Sequence, residues 1–87
     1  MTGRLHHRSA LVIGGARGIG AAIAERFFEG GAWVVIADTE EEAGRATAER
    51  LKGRFISTDI SQKIDAERAV SEAVTAYGGL DITVQNA

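Results

Sequence analysis

The sequence predicts an α/β fold, a doubly wound parallel sheet with strands in the order 3-2-1-4 that is cut off after the fourth strand. Three observations carry this. Short apolar runs alternate without exception with stretches of helical period. The first run opens into a loop with glycine at 14, 15, 18 and 20, and then into a helix. The runs end on Gly14, Asp38, Asp59 and Asn86. Such a sheet gathers its strand ends at one edge, where open α/β sheets bind their ligands.

The first strand, about residues 9–14, holds Ala10-Leu11-Val12-Ile13, an unbroken apolar run of the kind that is covered on both faces. A helix follows over about residues 17–29. Ile19, Ile23 and Phe27 recur at i, i+4 and i+8 with Ala22 beside them, so this stripe is expected to face the sheet. Gly20 on that side would let the helix sit close to the strand, and Gly30-Gly31 ends it. Residues 33–37 form the second buried strand, closed by Asp38. Thr39-Glu40-Glu41-Glu42 reads as a capping box with Thr39 as N-cap and Glu42 at N3. The second helix runs to about Leu51 and is expected to bury Ala43, Ala46, Thr47 and Leu51. Gly53 breaks it, and residues 54–58 form a third strand ending at Asp59. The third helix, about residues 63–77, puts Ala66, Ala69, Val70, Ala73, Val74 and Tyr77 on one face. Gly78-Gly79 stops it, and residues 80–84 form the fourth strand.

Bulk properties exclude several classes of function. The 87 residues make one small domain at most. A net charge of −2 with interleaved signs gives no footprint for nucleic acid or an anionic membrane. There is no cysteine, hence no disulfide or thiolate metal site, which fits a cytoplasmic protein. Residues 1–8 are too polar for a signal peptide, and no apolar run is long enough to span a bilayer. His6-His7 is read as solvated surface, so no metal site is expected.

A strand, a glycine turn and a helix start, in that order, suit a pyrophosphate. The helix offers unpaired N–H groups and the positive end of its dipole, and glycines let phosphates come close. Asp38 lies 18 residues beyond Gly20, at the end of the next strand, where a carboxylate can accept both hydroxyls of an adenosine ribose. Asp59 either belongs to this site or only shapes the entry to the third helix. Arg17 either touches a phosphate or points to solvent.

The glycines at 14, 18 and 20 are spaced G-x-x-x-G-x-G. With Asp59-Ile60 after the third strand and Gln85-Asn86-Ala87 after the fourth, the chain resembles the short-chain dehydrogenases/reductases from about Ser9 to Ala87. The resemblance implies a Rossmann-like sheet and an NAD cofactor. It assigns the pyrophosphate to Gly14, Arg17, Gly18, Ile19 and Gly20, and the adenosine ribose to Asp38. It assigns the adenine to Asp59 and Ile60, and the flank of the cofactor ribose to Asn86 and Ala87. Two positions depart from the pattern. Ile13 replaces a threonine and Gln85 an asparagine, and both are expected to loosen the join between strands one and four.

The family's chemistry comes from a serine and a Tyr-x-x-x-Lys pair further along. Tyr77 is not that tyrosine, since no lysine follows it, and it is read as core. No catalytic residue is therefore assigned. Residues 1–87 are expected to be the N-terminal part of a single NAD-binding domain of a longer enzyme. That enzyme would interconvert a small-molecule alcohol and a carbonyl and would be a homo-oligomer when full length. A non-catalytic NAD-binding module is the alternative, and a methyltransferase-type nucleotide-binding domain a weaker one. The 87-residue chain alone is expected to show no dehydrogenase turnover, because it offers no set of side chains that polarises a carbonyl and moves its proton. Measurable NAD-dependent oxidation of simple secondary alcohols by the purified chain would overturn this.

Overall fold

Each apolar run becomes a strand and each periodic stretch a helix in the computed structural model, which describes residues 7–86. The elements are β1 (Ser9–Ile13), α1 (Gly18–Glu29), β2 (Trp33–Asp38), α2 (Glu41–Arg50), β3 (Arg54–Ser57), α3 (Lys63–Tyr77) and β4 (Ile82–Gln85). All strand pairs are parallel, and the sheet runs β3-β2-β1-β4.

Side chains alternate across the strands, and each face has its own core. Val12, Val34 and Ile36 meet Ala24 of α1, and Ala48 and Leu51 at α2. Leu11, Val35 and Ala37 on the opposite face meet Ala69 and Ala73 of α3. The five largest fully buried side chains are Leu11, Val12, Val34, Val35 and Ile36. At about 1.5–3 kcal/mol for each one buried, the two central strands dominate the folding energy. They hold the sheet level so that its carboxyl ends form one edge.

The expected stripes of two helices hold only in part. Gly20 and Phe27 of α1 and Thr47 and Leu51 at α2 lie inward as expected, but Ile19, Ala22 and Ala46 do not. In α1 the buried residues are Gly20 and Ala24, with Phe27 and Phe28 partly buried, while Ile19 is 72% exposed and Ala22 lies open. Close approach selects this side. A Cβ on Gly20 would land on the Gly14 carbonyl and beside the Asn86 side-chain amide, so only the smallest residue fits there. In α2 the buried residues are Gly44, Thr47 and Ala48, while Ala46 is exposed. Gly44 lies against the Phe55 ring, which again selects the small side.

The capping box does not form. The N-cap of α2 is Glu40, without a side-chain cap bond, and Thr39 and Glu42 are exposed. Asp38 Oδ1 instead accepts the Glu40 N–H at 3.0 Å, and this Asx turn delivers the chain into the helix one residue later.

Trp33 departs from its expected place in the core. It is 44% exposed at the amino end of β2 and stacks on Tyr77, with ring centroids 5.4 Å apart. The Tyr77 hydroxyl donates to the Val34 carbonyl at 3.3 Å, and burial holds its pKa above the ordinary value. His7 is exposed with its ring 5.6 Å from that of Trp33, and His6 lies outside the described residues.

Ala69 and Ala73 of α3 are buried as expected, but Val70 and Val74 stand exposed on its flank. The helix lies over β1 and β2, and Ile82 and Val84 of β4 stay only half-buried. Among the described residues no strand pairs with the outer edge of β4. An open edge rich in β-formers beside uncovered apolar surface is a template for a second chain. The 87-residue chain is expected to be marginally folded and to self-associate at micromolar concentration in sedimentation experiments. A sharp, cooperative unfolding transition of a monomer at that concentration would contradict this.

Candidate functional site

Three backbone hydrogen bonds bring the strand ends level. Thr58 N–H donates to the Asp38 carbonyl at 3.0 Å, Gly14 N–H to Ala37 at 2.7 Å, and Asn86 N–H to Ile13 at 2.8 Å. The last bond and the ladder from Ala10–Ile82 to Ile13–Gln85 run through both departing positions. The backbone thus makes the join between β1 and β4 without a hydroxyl at 13.

An open cleft of about 270 Å³ lies along this edge. Gly14, Arg17, Asp38, Asp59, Ile60 and Asn86 line it, so the fold brings together six of the ten residues singled out in the sequence. Gly18 and Ile19 stand outside its wall at the exposed start of α1, and Gly20 is buried under Gly14. Ala87 lies outside the described residues.

The glycine loop leaves β1 through Gly14, whose φ of 83° is one that L side chains rarely adopt. Arg17 is the N-cap of α1, with extended backbone and no side-chain cap bond, and no acid stands in the first turn. The first N–H groups of α1 therefore have neither an intrahelical acceptor nor an acid in their own turn. By contrast, α2 carries Glu41 and Glu42 in its first turn, so its dipole is already answered.

Ala16 is held at both ends. Its N–H donates to Asp38 Oδ2 at 3.1 Å, and its carbonyl accepts the buried Thr47 hydroxyl at 2.9 Å. In a trans peptide the next N–H points the opposite way from the carbonyl, so Thr47 sets the direction of the Arg17 N–H. Sequence reasoning missed this pair, because Ala16 has no polar side chain and Thr47 read only as a buried helix residue. A threonine hydroxyl among alanines on a sheet-facing stripe must find a partner, and that was the available signal.

Asp38 thus ties two loops together, one oxygen on Ala16 and the other on Glu40. Glu40, also missed, lines the cleft and meets Arg17 at 2.7 Å. Asp59 Oδ1 accepts the Ser61 hydroxyl at 2.7 Å and the Ser61 N–H at 3.0 Å. The Ser61 hydroxyl, then its N–H, holds the exposed Asp59 carboxyl below the ordinary carboxylate range. Asp59 therefore both shapes the turn into α3 and presents an ionised group to the cleft.

The wall carries carboxylates, the Arg17 guanidinium, an amide, hydroxyls and apolar side chains. Such a surface binds and orients a polar, extended ligand. Tyr77 bonds near the amino end of β2, away from this cleft.

Comparison with known proteins agrees with this geometry. The family model described as short chain dehydrogenase matches residues 8–87. The chain is 44% identical over 84 residues to the short-chain dehydrogenase reductase ATA1 of Arabidopsis thaliana, covering 97% of this chain and 31% of that protein. A short chain dehydrogenase from Burkholderia cenocepacia in complex with NADP superposes with a TM-score of 0.91 at 40% identity, over 97% of this chain and 37% of that one. A 3-ketoacyl-(acyl-carrier-protein) reductase from Brucella melitensis complexed with NADH superposes with a TM-score of 0.87 at 33% identity, over 91% and 33%. The chain spans about a third of the length of these relatives.

Replacing Thr47 by valine keeps its shape and leaves the Ala16 carbonyl buried without a partner. Thr47→Val is expected to cost about 1–3 kcal/mol in urea unfolding, whereas Thr47→Ser should retain most of the stability. Equal losses in both variants would show that the methyl packing matters and the hydroxyl does not.

Proposed function

The chain belongs to the short-chain dehydrogenase family, and from that premise we propose that it forms the NAD(H)-binding part of an oxidoreductase. The enzyme interconverts an alcohol and a carbonyl on a small-molecule substrate, and residues 1–87 are the N-terminal part of its single cofactor domain. The observation that carries the choice of cofactor is the Asp38 carboxylate, fixed at the end of β2 by two backbone N–H groups and facing the cleft.

The residues present fit a dinucleotide. The uncapped start of α1, with Gly14, Arg17, Gly18, Ile19 and Gly20, receives the pyrophosphate on backbone N–H groups. Each Asp38 oxygen accepts one bond from the protein and retains acceptor capacity for a ribose hydroxyl. Asp59 and Ile60 would flank the adenine and Asn86 the cofactor ribose, all three lining the cleft. The family resemblance gives Ala87, outside the described residues, the same role as Asn86. When bound, the nicotinamide donates or accepts the hydride. This part of the chain binds and orients it. The full-length enzyme works in the cytoplasm as a homo-oligomer.

A 2′-phosphate in place of the ribose hydroxyl would set two like charges against each other and remove the hydroxyl partner of Asp38. That difference amounts to about 2–4 kcal/mol, or roughly 30- to 1,000-fold in affinity. Calorimetry on the full-length enzyme should find tighter binding of NAD(H) than of NADP(H), and Asp38→Asn should narrow the gap. Equal affinities in the parent, or no gain for NADP(H) in the variant, would show that Asp38 is not the selector.

A further inference from the structure

The rim of the cleft carries an ion pair between Arg17 and Glu40. Glu40 stands at the N-cap of α2, and its Oε1 accepts a hydrogen bond from Arg17 Nε at 2.7 Å. Both ends of this contact are fixed by backbone. The Glu40 N–H is bonded to Asp38 Oδ1, and Arg17 follows Ala16, which Asp38 and Thr47 clamp. Asp38 therefore positions the backbone from which each partner of the pair projects. The three charges share one rim and sum to −1, and all three residues line the cleft.

We propose that Glu40 is a specificity-determining residue, which holds the Arg17 guanidinium in an ion pair and withholds it from a 2′-phosphate on the bound nucleotide. The proposal rests on the NAD(H) reading and deepens it. Without Glu40, Arg17 would balance the charge of Asp38 and offer a planar fork of donors that matches a phosphate. With Glu40 in place, a 2′-phosphate must break the pair and face a second carboxylate. Discrimination then comes from two acids with different roles: Asp38 occupies the position, and Glu40 disarms the base beside it. Both partners are largely solvent-exposed, at 68% and 51%, so the effect is modest and screened by salt.

The test titrates the full-length protein with adenosine 5′-monophosphate and adenosine 2′,5′-bisphosphate, in the parent, Glu40→Gln, Arg17→Ala and the double variant. The expected result is that Glu40→Gln shifts the affinity ratio toward the bisphosphate by about 2- to 5-fold, less at high salt. The shift should vanish in the double variant, since it depends on a freed Arg17. No shift in Glu40→Gln, or the same shift without Arg17, would overturn the assignment and leave the NAD(H) preference standing. A parent that binds the bisphosphate as tightly as the monophosphate would overturn the NAD(H) preference, whatever Glu40→Gln does. Failure of both probes to bind any form would overturn both.

Discussion

Gly20 and Gly14 bring two pieces of backbone into contact where α1 meets the end of β1, with only a hydrogen atom of Gly20 between them. Much else follows from that approach. It draws the N-terminus of α1 down to the sheet edge, so the free N–H groups of its first turn stand beside the ends of β1, β2 and β4. It turns the small residues Gly20 and Ala24 inward and leaves Ile19 outside. It also places the Asn86 side chain against the helix start, which links β4 to the loop on the far side. A methyl group at position 20 would push the helix off the strand and take the loop with it.

Electrostatics then divides the two helix starts that border the cleft. The first turn of α1 has no acid, while that of α2 has two. An anion is favoured at the first and opposed at the second. Asp38 lies between them and converts this asymmetry into a fixed shape, because its two oxygens hold one loop each. A carboxylate committed in this way has little freedom to rotate from an approaching phosphate. On the proposed reading, that rigidity is what would make its charge selective, since a mobile acid could relax toward solvent.

The order and type of the elements were legible because large apolar residues mark strands and helices by their spacing, and glycines punctuate them. Helix faces were less legible. In α1 and α2 the buried helical residues are Gly, Ala and Thr, which carry little hydropathic signal, so Ile19 and Ala46 were expected inside while Ala24, Gly44 and Ala48 were not. The cap of α2 was misplaced for a related reason: the bond that sets it comes from Asp38, outside the four-residue pattern. Of the site, the residues with distinctive chemistry or spacing were visible, namely the glycines, Asp38, Asp59 and Asn86. Ala16, Thr47 and Glu40 were not, because their roles depend on contacts across 22, 31 and 23 positions of the chain.

The two ends of the sheet do different work. At the amino end, Ser9 N–H donates to Asp81 Oδ2 at 3.0 Å and the Ser9 hydroxyl to the Gly79 carbonyl at 2.5 Å, fastening β4 to β1. The Ser9 N–H also holds the Asp81 carboxyl below the usual carboxylate range. Trp33 and Tyr77 cover the same end with stacked rings. None of these residues lines the cleft. Strand register is thus secured at one end by groups that leave the other end free to be polar and charged. Such a division lets the carboxyl ends carry uncapped helix N–H groups and two neighbouring acids, both unfavourable for stability alone. The central strands and the amino end hold the fold, and the cleft is shaped for its ligand.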